Sequence, residues 1–421
     1  MEQNKKSFFR YENGILIILF LVFGLVFMDR LSIIYLFPFV QKELNLNNTQ
    51  IGMIMGATSI AWGLSTLLFA SLSDFIGKKK ITLILFMLFF SVATFASGAV
   101  GGLGSLILVR LLMGASEGPV VPLIQSTIMA ESSVKRRGFN MGFIQSSGPL
   151  LGNALAPVIV LSIAAAANWR YSFFALALPG MILAFVLMFY MKEPVFYDHS
   201  KTKTKPTFKE YKSVFKTRNV WVSMLIAIFY MMYLLTFTSF MPLFLTDISH
   251  YTETQYGIIM AIFGIGMFLW QMFFPFLSDK VGRKVVIVPA TLIAIFLPIA
   301  VIFTHSNIIL TAILVFLLTA GMGGQPLYLA IIPSESVPRA FAATAIASVV
   351  LTGEIIGGTI GPVVAGILAD KFSLYASLWM ASGTAVIFFL LSLLLKETAP
   401  VKIKENKKSS DMSAPSITIE T

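Results

Sequence analysis

The chain has 421 residues, 57% of them hydrophobic and only 12% charged, with a formal net charge of +11 and no cysteine. Soluble domains carry about 25% charged residues, so a soluble globular fold is excluded, and the lack of cysteine excludes disulfides and thiolate metal sites. His199, His250 and His305 are scattered without ligand spacing. No metal or other cofactor and no enzymatic activity are expected.

Twelve apolar segments of about 20 residues or more follow one another, which calls for an all-α membrane protein rather than a barrel of short alternating strands. The first, 14–38, is too long for a signal-peptide core and lacks a small-residue cleavage site, so it reads as a membrane helix. It contains Asp29 and Arg30 side by side in "VFMDRLSII". Segments 50–72, with Trp62, and 80–99 are joined by "SLSDFIGKKK". Segment 103–129 carries Arg110 and Glu117, and only the punctuation "ESSVKRRG" separates it from 138–166, which holds Gln145. Segment 171–191 completes a first set of six.

The stretch 192–218 is polar, with eight Lys/Arg against three acids, and reads as a solvated loop whose lysines can touch anionic headgroups. A second set follows at 219–245, with Tyr230 and Tyr233, 254–277, with Gln271, and 284–304. It continues through 308–332, with Gln325, 340–367, with Glu354, and 374–395. The expected organisation is therefore a bundle over 1–191, a linker over 192–218, a bundle over 219–399 and a disordered tail over 400–421.

With the N-terminus placed in the cytoplasm, inside loops hold 26 of the 31 Lys/Arg and outside loops hold Lys42, Arg170 and Lys371. Basic residues concentrate in cytoplasmic loops, so both termini are expected there, in a cell membrane. The positive charge thus marks topology, and no nucleic-acid partner is expected.

The two sets are related by an internal repeat. "SLSDFIGKKK" (71–80) returns as "FLSDKVGRKV" (276–285), so Asp74 matches Asp279 and Gly77 matches Gly282 at an offset of 205. Pro157 and Pro362 share that offset. Two pseudo-symmetric halves with a binding site between them near mid-membrane are a common build of secondary transporters. In each loop an Asp one turn before a Gly–Lys/Arg turn can cap a neighbouring helix or pair with an Arg. Asp74, Gly77 and Lys78, with Asp279, Gly282 and Arg283, suit a latch that breaks when the carrier opens inward; plain loop geometry is the competing reading.

The buried charges carry the chemistry. Arg110 and Glu117 are two helical turns apart, on one face and about 10 Å apart along the axis, whereas Asp29 and Arg30 point about 100° apart. Each intramembrane charge costs about 2.5–3.5 kcal/mol even on the mildest scale. A static ion-pair cluster riveting the first helix to the fourth is one account. A division of labour is the other. Arg30 offers a permanently charged fork suited to a carboxylate, Asp29 and Glu117 can gain and lose protons, and Arg110 pairs with ionised Glu117. Trp62, Gln145, Tyr233, Gln271 and Glu354 are further candidates for substrate contact, each alternatively a packing or interhelical group. The glycine-rich stretches 148–157 and 357–362 read as faces for close helix approach.

The doubled "D-x-x-G-(R/K)-K" loop resembles the signature of the major facilitator superfamily. "DR" in the first segment, "RLLMGASEGPVVP" (110–122) in the fourth and "NWRYSFF" (168–174) after the fifth are similar to the anion:cation symporter family of galactonate, hexuronate and sialic-acid carriers. The resemblance covers nearly the whole chain and is stronger in its first half. It implies a monomeric, proton-coupled importer of a small organic anion such as a sugar acid, with Asp29, Arg30, Arg110 and Glu117 in the roles above. Two departures stand out: Trp62 where the resembled family usually has Tyr, and Glu354 where it more often has Asn. Proton-coupled efflux of amphipathic compounds remains the alternative.

Overall fold

A computed structural model describes residues 11–76, 78–133, 136–193, 214–338 and 341–399, apart from the side chains of 70–76, 137–139 and 343. Gly77, most of the expected linker and the 400–421 tail lie outside the described residues, as does the side chain of Asp74. Twelve helical spans are long and apolar enough to cross a membrane. They are α1 (Tyr11–Leu44), α2 (Asn48–Phe69), α3 (Lys79–Gly98), α4 (Leu103–Glu131), α5 (Asn140–Ala166) and α6 (Trp169–Tyr190). After residue 217 come α7 (Arg218–Ile248), α8 (Glu253–Val281), α9 (Arg283–Thr304), α10 (Ile308–Glu335), α11 (Thr344–Lys371) and α12 (Leu374–Leu393). The protein is therefore an all-α, multi-pass membrane protein, as its apolar runs predict.

Local chemistry sets where the spans begin. Asn168 caps α6 by accepting from the Arg170 N–H, and Thr252 with Gln255 forms a capping box at the start of α8. Asn307 accepts from the Leu310 N–H at the start of α10. Gly282, between α8 and α9, has φ 115°, a conformation that L side chains rarely adopt.

Several spans are not continuous α-helix. The α-helical geometry of α4 is broken by a turn at Gly118–Pro119, immediately after Glu117. In α5 a π-helical stretch covers Gly148–Leu155, and in α11 another covers Gly353–Gly358. The two stretches begin at positions separated by 205, the offset of the sequence repeat. Helices in a bilayer must satisfy their own backbone groups, and π turns do so while widening the helix locally.

Within the first set, α3 packs on α6 and α4, α2 on α4, and α1 on α5 and α6; within the second, α12 packs on α7 and α9, α10 on α8 and α9, and α11 on α7. The sets meet along α2–α11, α5–α8 and α1–α7. Small residues make that approach close. A Cβ at Gly52 or Gly56 would run into backbone of α11 at Pro362 and Thr359, and one at Gly264 would strike Asn153 of α5.

The polar links between the sets lie at mid-depth or toward the face away from the termini. Asp370 of α11 accepts from the Asn48 and Thr49 N–H groups at the start of α2, and the Tyr256 hydroxyl donates to the Tyr35 carbonyl at 3.1 Å.

Candidate functional site

Arg30 sits about 28 Å along α1 from Tyr11 and about 21 Å from Leu44, by the helical rise of 1.5 Å per residue. Glu117 lies midway along α4, at the turn described above. Both are buried, as are Asp29, Arg110, Trp62 and Glu354. Six chemically active side chains are thus held near mid-membrane by α1, α2, α4 and α11.

Asp29 and Arg30 turn to different partners. Asp29 Oδ2 accepts a hydrogen bond from the Thr94 hydroxyl of α3, and its Oδ1 has no partner. Arg30 faces α2 and α11. Its Nη2 meets Glu354 Oε2 at 2.7 Å, a salt bridge between the two sets of six, and reaches Ser59 Oγ at 3.5 Å. The guanidinium carbon lies 5.1 Å from the centroid of the Trp62 ring, within cation–π range. The pair keeps 6% and 7% side-chain exposure.

Arg110 and Glu117 lie on one face, as their spacing predicts, and make no direct contact. Arg110 Nη1 contacts Met113 Sδ at 2.9 Å, and its guanidinium carbon lies 5.1 Å from the Phe173 ring centroid. Its Nε and Nη2, like both oxygens of Glu117, have no hydrogen-bond partner. Two turns of helix hold the pair too far apart for direct contact, and Arg110 spends its length on the aromatic face of α6. Asp29, Arg110 and Glu117 remain within electrostatic reach of one another, and Glu117 of Arg30. The static rivet between α1 and α4 is therefore absent; the only salt bridge of this centre among the described residues is Arg30–Glu354.

The remaining candidates divide. Gln271 of α8 donates to Gln325 Oε1 of α10 at 2.6 Å, and the Tyr230 hydroxyl donates to the same oxygen at 3.0 Å. Gln271 and Gln325 are half-buried and Gln145 is exposed. Tyr233 is fully buried and donates to the Ala294 carbonyl of α9 at 3.0 Å, so its hydroxyl ties α7 to α9. In the second repeated loop, Arg283 bridges Asp279 at 2.5 Å and Glu335 at 2.8 Å, both within the second set. Among the described residues, the bonds of Arg283 stay within the second set. Lys78 precedes α3 and is exposed.

Sequence reasoning missed Thr94, Ser59 and Asp370. Threonine and serine in membrane helices usually bond their own backbone, and nothing local distinguishes those that reach a neighbour.

Comparison with known proteins adds the family. A model described as Major Facilitator Superfamily matches residues 19–355 and 237–419. A hexuronate transporter of Bacillus subtilis (strain 168) is 28% identical over 279 residues, covering 64% of this chain and 65% of the relative. A probable L-galactonate transporter of Escherichia coli (strain K12) is 27% identical over 229 residues, covering 51% of this chain and 50% of the relative. The matches thus span between half and two thirds of the length of these relatives. The solved structure of a bacterial homologue of the human lysosomal transporter Spinster, inward-facing and unoccupied, aligns with a TM-score of 0.73 at 19% identity, over 92% of this chain and 98% of that one.

Proposed function

Because the chain belongs to the Major Facilitator Superfamily, we propose that this secondary transporter imports a small organic carboxylate, such as a sugar acid, together with protons. The observation that carries the reading is Arg30. It is a permanent cation near mid-membrane, on the seam between the two sets of six helices, flanked by an aromatic face and by buried carboxyl groups. A guanidinium binds a carboxylate through two parallel N–H···O bonds, and ionisable residues inside membrane spans mark substrate or ion pathways. The names of the hexuronate and L-galactonate relatives support the sugar-acid class.

Protons enter the reading through Asp29 and Glu117. Glu117 is wholly buried with neither oxygen hydrogen-bonded, and one oxygen of Asp29 is likewise bare. A buried carboxylate without donors is costly, and a proton removes that cost. An anion beside Arg30 and protons on these acids then favour one another reciprocally.

Residues 1–191 and 219–399 act as the two rocking halves, joined by the 192–218 linker, in a monomer. The 26-to-3 distribution of Lys/Arg supports cytoplasmic termini in the cell membrane.

The test is proton flux in proteoliposomes with a pH dye inside and sugar acids, aromatic acids or amphipathic cations added outside. Lumenal acidification with a sugar acid is expected. Alkalinisation with a cation would replace symport by efflux-type antiport.

A further inference from the structure

Glu354 has no part in the symport cycle drawn above, yet it holds the residue on which that cycle turns. It lies on α11, and its partner Arg30 lies on α1, 324 residues earlier. The bridge is made through one nitrogen and one oxygen at 2.7 Å. Neither Glu354 Oε1 nor the remaining nitrogens of Arg30 are among the sealed-off unpartnered atoms, whereas atoms of Arg110, Glu117 and Asp29 are. The pair therefore has polar atoms open to solvent, and the fork of Arg30 is only half used.

The backbone does not require a carboxylate here. Glu354 is the second residue of the π-helical stretch Gly353–Gly358. The repeat builds the matching stretch at Gly148–Leu155 with Pro149 in the corresponding place. Packing of α11 is carried by its glycines, since a Cβ at Gly353, Gly357 or Gly361 would strike α7 at Ala227, Ile228 or Met232. What Glu354 adds is a negative charge from the second half, delivered to the cation of the first.

We propose that Glu354 is a tethered internal anion that competes with the substrate carboxylate for Arg30. The proposal rests on the reading of Arg30 as the carboxylate site. An incoming substrate gains a two-pronged bond where Glu354 has one, so exchanging one anion for the other is close to balanced. Balance is what release needs. A carrier whose only anion is its substrate leaves an unpaired cation in the membrane when the substrate departs, and that cost opposes release. With Glu354 taking the vacated fork, the substrate is displaced and the empty carrier reorients with Arg30 neutralised. The other acids do not substitute: Asp29 is turned to Thr94 and Glu117 makes no bond.

The consequence separates net transport from exchange, because exchange never requires the empty carrier to move. In full-length Glu354→Gln carrier, binding of glucuronate or galactonate is expected to tighten roughly tenfold, equivalent to about 1.4 kcal/mol. Counterflow exchange in proteoliposomes should persist while net uptake falls by a similar factor. Glu354→Asn gives the same reading if the glutamine variant does not insert, and Glu354→Asp should recover part of the net uptake. Unchanged affinity and net uptake overturn the proposal. So does lost binding in Glu354→Gln, above all if confined to acids bearing an amine, for Glu354 would then be a direct ligand of the substrate. The two readings fail differently. Sugar-acid binding that survives Arg30→Ala, or is absent from the wild type, removes the Arg30 site and this proposal with it. Binding lost in Arg30→Ala but unaltered in Glu354→Gln removes this proposal alone.

Discussion

Replacing Asp370 by alanine should open the face of the protein away from its termini. The Asp370 carboxylate accepts from the Asn48 N–H at 2.9 Å, the Thr49 N–H at 2.8 Å and the Thr49 hydroxyl at 2.6 Å. It is an N-cap for α2 supplied by another helix. Such caps are worth about 0.5–2 kcal/mol, and the exposure of Asp370 argues for the middle of that range, since water competes for the same donors. All three bonds cross from α11 to α2 and exist only while those helices touch, so the loss falls on this conformation alone. A cost of about 1 kcal/mol shifts the equilibrium roughly fivefold. The chain has no cysteine, so a single Val363→Cys reports cleanly; Val363 packs where Gly52 and Gly56 of α2 approach. Labelling from the far face by a membrane-impermeant maleimide should accelerate several-fold in Asp370→Ala. Asp370→Asn, which keeps an oxygen acceptor, should fall between. Equal labelling rates in Asp370→Ala and wild type would show that the glycine-lined contact holds the seal without the cap, and the reasoning would be wrong.

Three further outcomes are expected. Arg30→Ala should abolish binding of carboxylates, read by calorimetry on purified protein; retained affinity would remove Arg30 from the site. Glu117→Gln should still exchange substrate across the membrane but not accumulate it against a proton gradient, and normal accumulation would move the proton site to Asp29 or Glu354. Gly52→Leu should block closure of the far face, because its side chain would meet the Pro362 carbonyl; maleimide access to Val363→Cys should then be high and net transport lost, and low access would contradict the close approach of α2 and α11.

Much of the fold is legible because a bilayer leaves few options. Apolar runs of about 20 residues must be helices, and all twelve appear, including α4 and α5, which only "ESSVKRRG" separates. The divergence of Asp29 and Arg30 was equally legible, since neighbours on a helix differ by about 100°. Their partners were not. Thr94 is 65 residues from Asp29 and Glu354 is 324 from Arg30, and which side chains meet at such distances is decided by how the spans pack. The absence of direct contact between Arg110 and Glu117 has a related reason. Periodicity placed both on one face correctly, but a shared face fixes direction and not contact.

The repeat is more informative than either kind of local signal. Its offset of 205 links Pro157 to Pro362 in the sequence, and the structure extends the match to two π-helical stretches. Positions that the repeat keeps alike serve the fold both halves share, as the paired π turns do. Positions where it differs are free of that duty. The first half contributes Asp29, Arg30, Arg110 and Glu117 to the centre of the membrane; the second answers with Glu354 alone. A binding chemistry concentrated in one half still needs the other half to sense it if the two are to move in concert. Among the described residues, the one salt bridge across the seam joins the principal cation of one half to the buried Glu354 of the other. If Arg30 is the carboxylate site proposed above, a substrate taking its fork would break this bridge, which gives coupling between binding and rocking a specific place to act.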